Sequence, residues 1–544
     1  MHKLVVKKFR DIGICLFVAI LLINPVKFAA AQEKEDVQKN QLKFARLLRL
    51  VDSYYVDSAN VDQLTEKAIV NVLTELDPHS TYISKEEVDK MNEPLKGNFE
   101  GIGISFNIFH DTLLVNTTIS GGPSEKVGLR AGDRIIEVDG KNIAGIGLKN
   151  SDVFDMLRGD KGTRVDLKVK RKSEHELLDF TIIRDKIPIF SLDASYMLDE
   201  STGYIKLNKF SATTTDEFIT AMNGLKKDGI KNLVLDLRGN GGGYLKTAIE
   251  IADQFLEDKK LVVYTDGMND PKREYKASGK GTFEKGKLVV LVDEGSASAS
   301  EIVSGAIQDW DRGIVIGRRS FGKGLVQKPF FLTDGSMVRL TTAHYYTPSG
   351  RCIQKPYDEG VTEYRKEQYD RLANGEMFNA DSIHFDESQK HKTLVNGRFV
   401  YGGGGVMPDI FIPMDTSHHY QYVNSLRRKQ VTYNFILDYV DQNRDKIKRK
   451  FRDFDEYNSK FEITEEDIDT IVAKGEKEGI KKNEESLAYT IDNLKREIKA
   501  LIARDIYSRN DFYRVYYSDD EAILKALEVI QNQKEYDDLL VTAE

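Results

Sequence analysis

Apolar positions recur at helical spacing through residues 40–91. QLKFARLLRLVDSYYV sets its leucines and aromatics along one stripe, and VDQLTEKAIVNVLTELDPHS repeats the pattern until Pro78 ends it. From Gly97 the period shortens to alternation in GIGISFNIF, TLLVNTTI, DRIIEVDG, RVDLKVKRK and LLDFTIIRD, the pattern of half-buried strands. Between 187 and 350 the apolar runs GYIKLNKF, NLVLDLRG, KLVVLVDEG and GIVIGRRS alternate with the amphipathic stretches TTTDEFITAMNGLKKDG, GYLKTAIEIADQFL and SASEIVSGAIQDW. Strand and helix in alternation predict an α/β core with crossover connections. VYGGGGVMPDIFIP reads as a strand returning to that core, after a charged, weakly patterned insertion from Tyr357 to Arg398 whose charges read as a solvated surface. Beyond Gln421 the chain is charged and helical in period, and no tandem repeat is present.

This patterning predicts a helical module at 32–96, a β-rich domain at 97–185, a core at 186–420 carrying the insertion 357–398, and a helical region at 421–544. At 544 residues the chain is too long for one domain, and 40% hydrophobic residues suffice for real cores. Lys3, Lys7, Lys8 and Arg10 precede an apolar run from Ile12 to Ile23 and then Ala29-Ala30-Ala31, the layout of a signal peptide spanning 1–31 and cleaved after Ala31. The expected location is exported, periplasmic; an uncleaved membrane anchor is the alternative, although the apolar run is short for a span of roughly 20 residues. Removing the +4 of residues 1–31 takes the net charge from −8 to about −12, which argues against nucleic acid as partner. Cys15 leaves with the signal, so Cys352 has no intrachain disulfide partner. Neither H-E-x-x-H nor C-x-x-C occurs, and no metal, nucleotide or organic cofactor is implied.

Three motifs carry candidate chemistry. In DEGSASASEIVSGAIQDW, residues 293–310, three serines crowd a strand-to-helix turn. Ser298-x-x-Glu301 reads as a capping box; equally, a serine at a helix start lies beside unpaired N–H donors able to hold an oxyanion. DLRGNGGG, residues 236–243, is either a plain glycine turn or a loop whose N–H groups approach a ligand. It departs from the G-D-S-G-G of trypsin-like proteases because Gly241 stands at the serine position, and residues 295–299 lack the closing glycine of the G-x-S-x-G elbow. GRRSFGKG, residues 317–324, follows a phosphate-binding loop until Gly324 replaces the metal-binding hydroxyl. Its Lys323 is a solvated loop lysine or, if buried, a lysine able to act neutral. Unshifted, only about one lysine in 2,500 is neutral at pH 7, and burial can lower the pKa by several units.

SASASE, FGKGxxQ and DLRGNGGG in one chain with a PDZ-like domain resemble the carboxyl-terminal processing peptidases, or tail-specific proteases, over roughly residues 40–415. The resemblance implies an α/β protease core of mixed sheet and helices, a preceding PDZ domain, and helical regions at both ends. It further implies a serine endopeptidase with Ser298 as nucleophile, Lys323 as base and Gln327 positioning it. The oxyanion donors would be the N–H of Ala299 and of Gly241 or Gly242. In a PDZ domain, GIGISF would be the carboxylate-binding loop, assigning Gly101, Ile102, Gly103 and Ile104 to a substrate's C-terminus, with Arg158 a second contact or a structural arginine. The implied partners are protein or peptide substrates with free C-termini, an adaptor lipoprotein and a second copy of the chain. The rival reading is a non-catalytic PDZ scaffold on a protease-like fold. Residues four apart lie about 6 Å apart on a helical turn but about 13 Å apart along a strand, so the Gln327 role predicts that Lys323 to Gln327 is coiled in the active form, an extended segment with the Lys323 amine far from Ser298 marking a resting state that tail binding shifts.

Overall fold

The computed structural model describes residues 36–541 apart from 120, 173, 385 and 415–419, so the signal segment 1–31 lies outside the described residues. The chain divides after Leu76 into two compact units. The first is described from residue 36 and consists of helices 36–54 and Val61–Thr74, the latter capped by Asn60, whose side chain accepts from the Gln63 N–H.

The second unit, from Asp77 onward, is built on a six-stranded sheet. Its order is Leu192–Met197, Thr202–Leu207, Asn232–Asp236, Leu288–Val292, Ile314–Gly317 and Ile410–Phe411, antiparallel in the first pair and parallel thereafter. Parallel strands are stable when helices cover both faces, which is why Leu288–Val292 is an unbroken apolar run and wholly buried. One face is covered by the helices Thr214–Lys227, Leu245–Asp253 and Ala299–Asp309 through Phe218, Ile251, Val303 and Ile307. The other is covered by the end of the chain. Ala522, Ile523, Ala526, Val529 and Ile530 of helix Glu521–Gln531 pack on Val234, Val289, Leu291 and Ile316. The last helices are therefore a layer of the core. DLRGNGGG and SASASE follow adjacent parallel strands at their carboxyl ends, where open α/β sheets place their ligands.

A second, five-stranded sheet centres on Met337–Tyr346, which pairs with Leu325–Phe331, Thr81–Ile83 and Leu261–Gly267; the last pairs in turn with Asp270–Lys276. Periodicity predicts neither the hairpin 261–276 nor the strand Thr81–Ile83. Three residues are too few to show a period, and Thr81–Ile83 lies inside the stretch read as helical.

Strands Ile104–Phe109, Thr112–Thr118, Arg134–Val138, Arg164–Lys170 and Leu178–Ile183, with the short Lys141–Asn142, form the β-rich domain around Leu113, Val115, Ile135, Val153, Val165 and Leu167. The paired strands Asn98–Gly101 and Asp185–Pro188 stand at its entry and exit. The helices from Gln421 to Tyr516 have a core of their own, including Phe435, Ile436, Tyr457, Ile471 and Ile498. Leu437 on helix Val431–Lys450 meets Phe109 and Leu114 of the β-rich domain, and Arg134 pairs with Asp441 at 3.0 Å.

Candidate active site

Ser298 stands between the strand Leu288–Val292 and the helix Ala299–Asp309. Its φ of 55° with ψ of −109° is a left-handed conformation that costs a serine about 1–3 kcal/mol and marks a position held by its surroundings. The two neighbouring serines are fully buried and occupied. Ser296 Oγ donates to the Leu237 carbonyl at 2.8 Å, and Ser300 Oγ donates to the Asn240 carbonyl at 2.8 Å. They stitch the helix start to the DLRGNGGG turn, while Ser298 remains half-buried at the edge.

The glycine turn closes directly on this serine. A Cβ on Gly242 would fall 2.9 Å from Ser298 Cβ, 3.0 Å from Ala299 N and 2.8 Å from the Ala297 carbonyl, and its φ of +102° itself disfavours a side chain. Gly242→Ala is therefore expected to lower kcat at least about tenfold and to lower Tm, because a methyl group must displace Ser298 or the turn. Peptide-cleavage assays and a melting curve check this, and unchanged turnover would refute the close approach. The Gly242 N–H already donates to Asn240 Oδ1 at 2.9 Å, whereas Gly241 is exposed.

Below the turn, buried Asp236 accepts from Arg238 and from the Tyr204 hydroxyl at 2.7 Å. Burial raises its pKa, but the charges of Arg238 and Lys206 and the hydrogen bonds to it prevail and hold it well below the usual carboxylate range. Arg238 also pairs at 2.9 Å with Asp520, which caps helix Glu521–Gln531 through the Ile523 N–H at 3.0 Å. The chain's end is thus tied to the glycine turn.

Lys323 belongs to the loop that precedes the strand Leu325–Phe331. Two side chains join its backbone to that of Ser298. The fully buried Glu301 carboxylate accepts from the N–H groups of Ser298 (2.8 Å), Gly322 (2.7 Å) and Lys323 (2.9 Å) and from Ser320 Oγ (2.5 Å). The Tyr345 hydroxyl lies 3.1 Å from the Ser298 carbonyl oxygen and 2.6 Å from that of Lys323. Burial lowers the Lys323 pKa, with Arg339 acting in the same direction and Glu301 and Asp77 opposing. Gly324 has a local reason as well: its N–H donates to Gln354 Oε1 at 2.8 Å, and a Cβ would lie 2.8 Å from Gln354 N.

Gln327 corrects one expectation. The coil predicted from Lys323 to Gln327 does not form, because Leu325–Phe331 is zipped along Met337–Tyr346, with Gln327 opposite Thr341. Only the stretch before Leu325 is irregular, and the ladder shifts between Val326 and Gln327. Backbone pairing over the whole strand outweighs the local turn.

The charged insertion also contributes to the site, which sequence reasoning missed. Helix Val361–Ala373 carries Arg371, which donates to the Ser320 carbonyl at 2.9 Å and the Phe321 carbonyl at 3.3 Å, and Gln368, which donates to the Glu294 carbonyl at 3.1 Å. One helix thereby braces the loops leading to Lys323 and to Ser298. Its charges, read as a solvated surface, include Glu367, paired with the buried Lys355 at 2.8 Å.

In the β-rich domain, Gly101 ends a strand and Ile104 begins the next, with Ile102 and Gly103 between them. Gly103 has a φ of +77°, and a Cβ there would lie 2.9 Å from Ile187 Cδ1. Ser124 donates to the Ile102 carbonyl from both its N–H (3.0 Å) and its Oγ (2.7 Å), which fixes the loop. Arg158 lies between the Phe99 and Phe154 rings and pairs with Glu93 at 2.6 Å.

Residues 201–363 match peptidase family S41, residues 114–171 match a PDZ domain, and residues 422–508 match a family of unknown function. Over 345 residues the chain is 37% identical to a carboxy-terminal-processing protease of Bartonella bacilliformis, covering 62% of this chain and 78% of that one. Over 346 residues it is 34% identical to the carboxy-terminal processing protease CtpB of Bacillus subtilis, covering 63% and 71%. A solved structure of a photosystem II D1 C-terminal processing protease is 31% identical, covering 58% of this chain and 90% of that one, with a TM-score of 0.33.

Proposed function

The chain belongs to peptidase family S41, the carboxy-terminal-processing serine proteases, and on that premise we propose an exported endopeptidase that holds a substrate's C-terminal tail in its PDZ domain and cleaves upstream with Ser298 and Lys323. The observation that carries this reading is the double bridge of Glu301 and Tyr345 between the two backbones. It ties the backbone of a half-buried serine at a helix start to that of a lysine whose charge burial disfavours.

Neutral Lys323 takes the Ser298 proton as Oγ attacks the scissile carbonyl. The negative charge on the carbonyl oxygen is met by the N–H of Ala299 at the helix start and by that of Gly241, since the Gly242 N–H is engaged. Lys323 returns the proton to the leaving amine, and water resolves the acyl-enzyme. In this reading Gln327 orients the lysine from the strand itself, the irregular stretch before Leu325 and the ladder shift at Gln327 taking the place of the predicted coil. The N–H groups of the Gly101–Ile104 loop receive the tail carboxylate while the tail adds as a strand. Arg158 becomes a second contact if the tail carboxylate replaces Glu93 beside it. An adaptor lipoprotein and a second copy of the chain are the further partners of this reading.

The carboxylate requirement supplies the test. Amidating the C-terminus of a good peptide substrate should weaken binding by about 1.5–3 kcal/mol, the scale of a hydrogen bond to a charged group. Titration of the acid and amide forms measures it, and equal affinity would remove the Gly101–Ile104 loop as the carboxylate site. Labelling by a serine-directed covalent probe, lost in Ser298→Ala, separates the peptidase from a non-catalytic PDZ scaffold.

A further inference from the structure

We propose that the turn Asp77–Ser80 is a positioning element for the Lys323 base, acting on Gln327 through Thr341; this rests on the Ser298–Lys323 reading above. Asp77 is buried. Its Oδ1 accepts from the N–H groups of His79 and Ser80, each at 2.8 Å, and its Oδ2 accepts from Ser80 Oγ at 2.5 Å, which closes the turn. The strand that follows, Thr81–Ile83, pairs with Met337–Arg339, and this register brings the turn to Thr341. There the Thr341 N–H donates to Ser80 Oγ at 3.1 Å, and Thr341 Oγ1 donates to Asp77 Oδ1 at 3.1 Å.

The direction of that last bond matters. A hydroxyl has one proton, and the acceptor-only carboxylate of Asp77 claims it. Thr341 Oγ1 can then only accept from Gln327, and the Gln327 Nε2 lies 3.4 Å away as donor. With its amino end turned to Thr341, the amide leaves its carbonyl end as the one able to accept from a lysine amine. Asp77 thereby sets the sense of the Gln327 amide without touching it. The same turn also reaches the residue after Lys323: His79 Nε2 and the Tyr364 hydroxyl lie 2.8 Å apart, the Gln354 amide lies 3.4 Å from that hydroxyl, and Gln354 Oε1 holds the Gly324 N–H. Residues at both ends of the Lys323–Gln327 segment are therefore referred to one tetrapeptide that precedes the β-rich domain.

Thr341→Val keeps the shape and deletes the hydroxyl. In the full chain it should lower kcat about tenfold, the scale of one lost hydrogen bond, with KM unchanged, and Thr341→Ser should restore kcat. Asp77→Ala, which removes the acceptor of the Thr341 hydroxyl and leaves the Gln327 amide free to take either sense, should lower kcat in the same way. If Thr341 acts through Gln327, the Thr341→Val loss disappears in a Gln327→Ala background. Wild-type kcat in Thr341→Val beside an impaired Gln327→Ala overturns the positioning role alone, as do losses that simply multiply. Wild-type kcat in Gln327→Ala itself overturns the assignment of Gln327 and the positioning role with it.

Discussion

Ser298→Ala is expected to abolish cleavage, lowering kcat by about 10⁴-fold or more, while leaving the fold and tail-peptide binding intact. The other two serines provide the internal control. Ser296 and Ser300 spend their hydroxyls on the Leu237 and Asn240 carbonyls, so their alanine variants lose a buried hydrogen bond rather than a nucleophile. Each should cost about 1 kcal/mol of stability, visible as a lower Tm, with a much smaller loss of turnover than Ser298→Ala. The left-handed backbone at Ser298 sharpens the contrast, because alanine relieves no part of a strain set by the chain around it. Cleavage and binding of one tail peptide, measured on the same preparations, separate the two effects. Near-normal turnover by Ser298→Ala would remove it as nucleophile.

The S-x-x-E spacing disclosed half of what Glu301 does. The local half is the capping bond to the Ser298 N–H. The other half, the grip on Gly322 and Lys323, spans more than twenty residues and depends on where the second sheet carries its strand, which periodicity does not reveal. The central sheet was legible because its strands are long apolar runs between amphipathic helices. The covering of its second face by residues 521–540 was not, since a helix that packs on a sheet and one that packs on other helices carry the same period. The insertion misled for a related reason. Arg371 and Glu367 look like surface charges until the carbonyls and the lysine they meet are seen. Gln327 failed in the opposite direction: spacing suggested a coil, and cross-strand pairing with Thr341 overrode it.

Lys323→Arg should lower kcat/KM by about 10³-fold or more at every accessible pH, because guanidinium stays protonated and cannot take the Ser298 proton. In the parent protein, activity should rise with pH along a titration whose midpoint lies below the ordinary lysine value of 10.5, since burial disfavours the ammonium form. The same shift has a consequence for stability. Where the folded-state pKa lies below the unfolded one, the unfolded chain binds more protons in the interval between them, so stability rises with pH across it and is lost as pH falls through the folded value. Lys323→Met should therefore raise Tm most below the folded pKa, with the gain fading toward the ordinary value of 10.5. Melting curves across pH measure this, and a pH-independent difference would mean that the amine is not penalised by burial. If Lys323→Arg retained substantial turnover, another base would be at work, and His79 is a candidate because the charge of Lys323 acts on its ionisation. Burial first, then the charge of Lys323, lowers its pKa to about 4, with Lys355 adding and Asp77 opposing. A base that weak gives little driving force for taking a serine proton at neutral pH. Its signature would be activity titrating near pH 4 instead of in the alkaline range, so the pH profile of Lys323→Arg distinguishes the two bases directly.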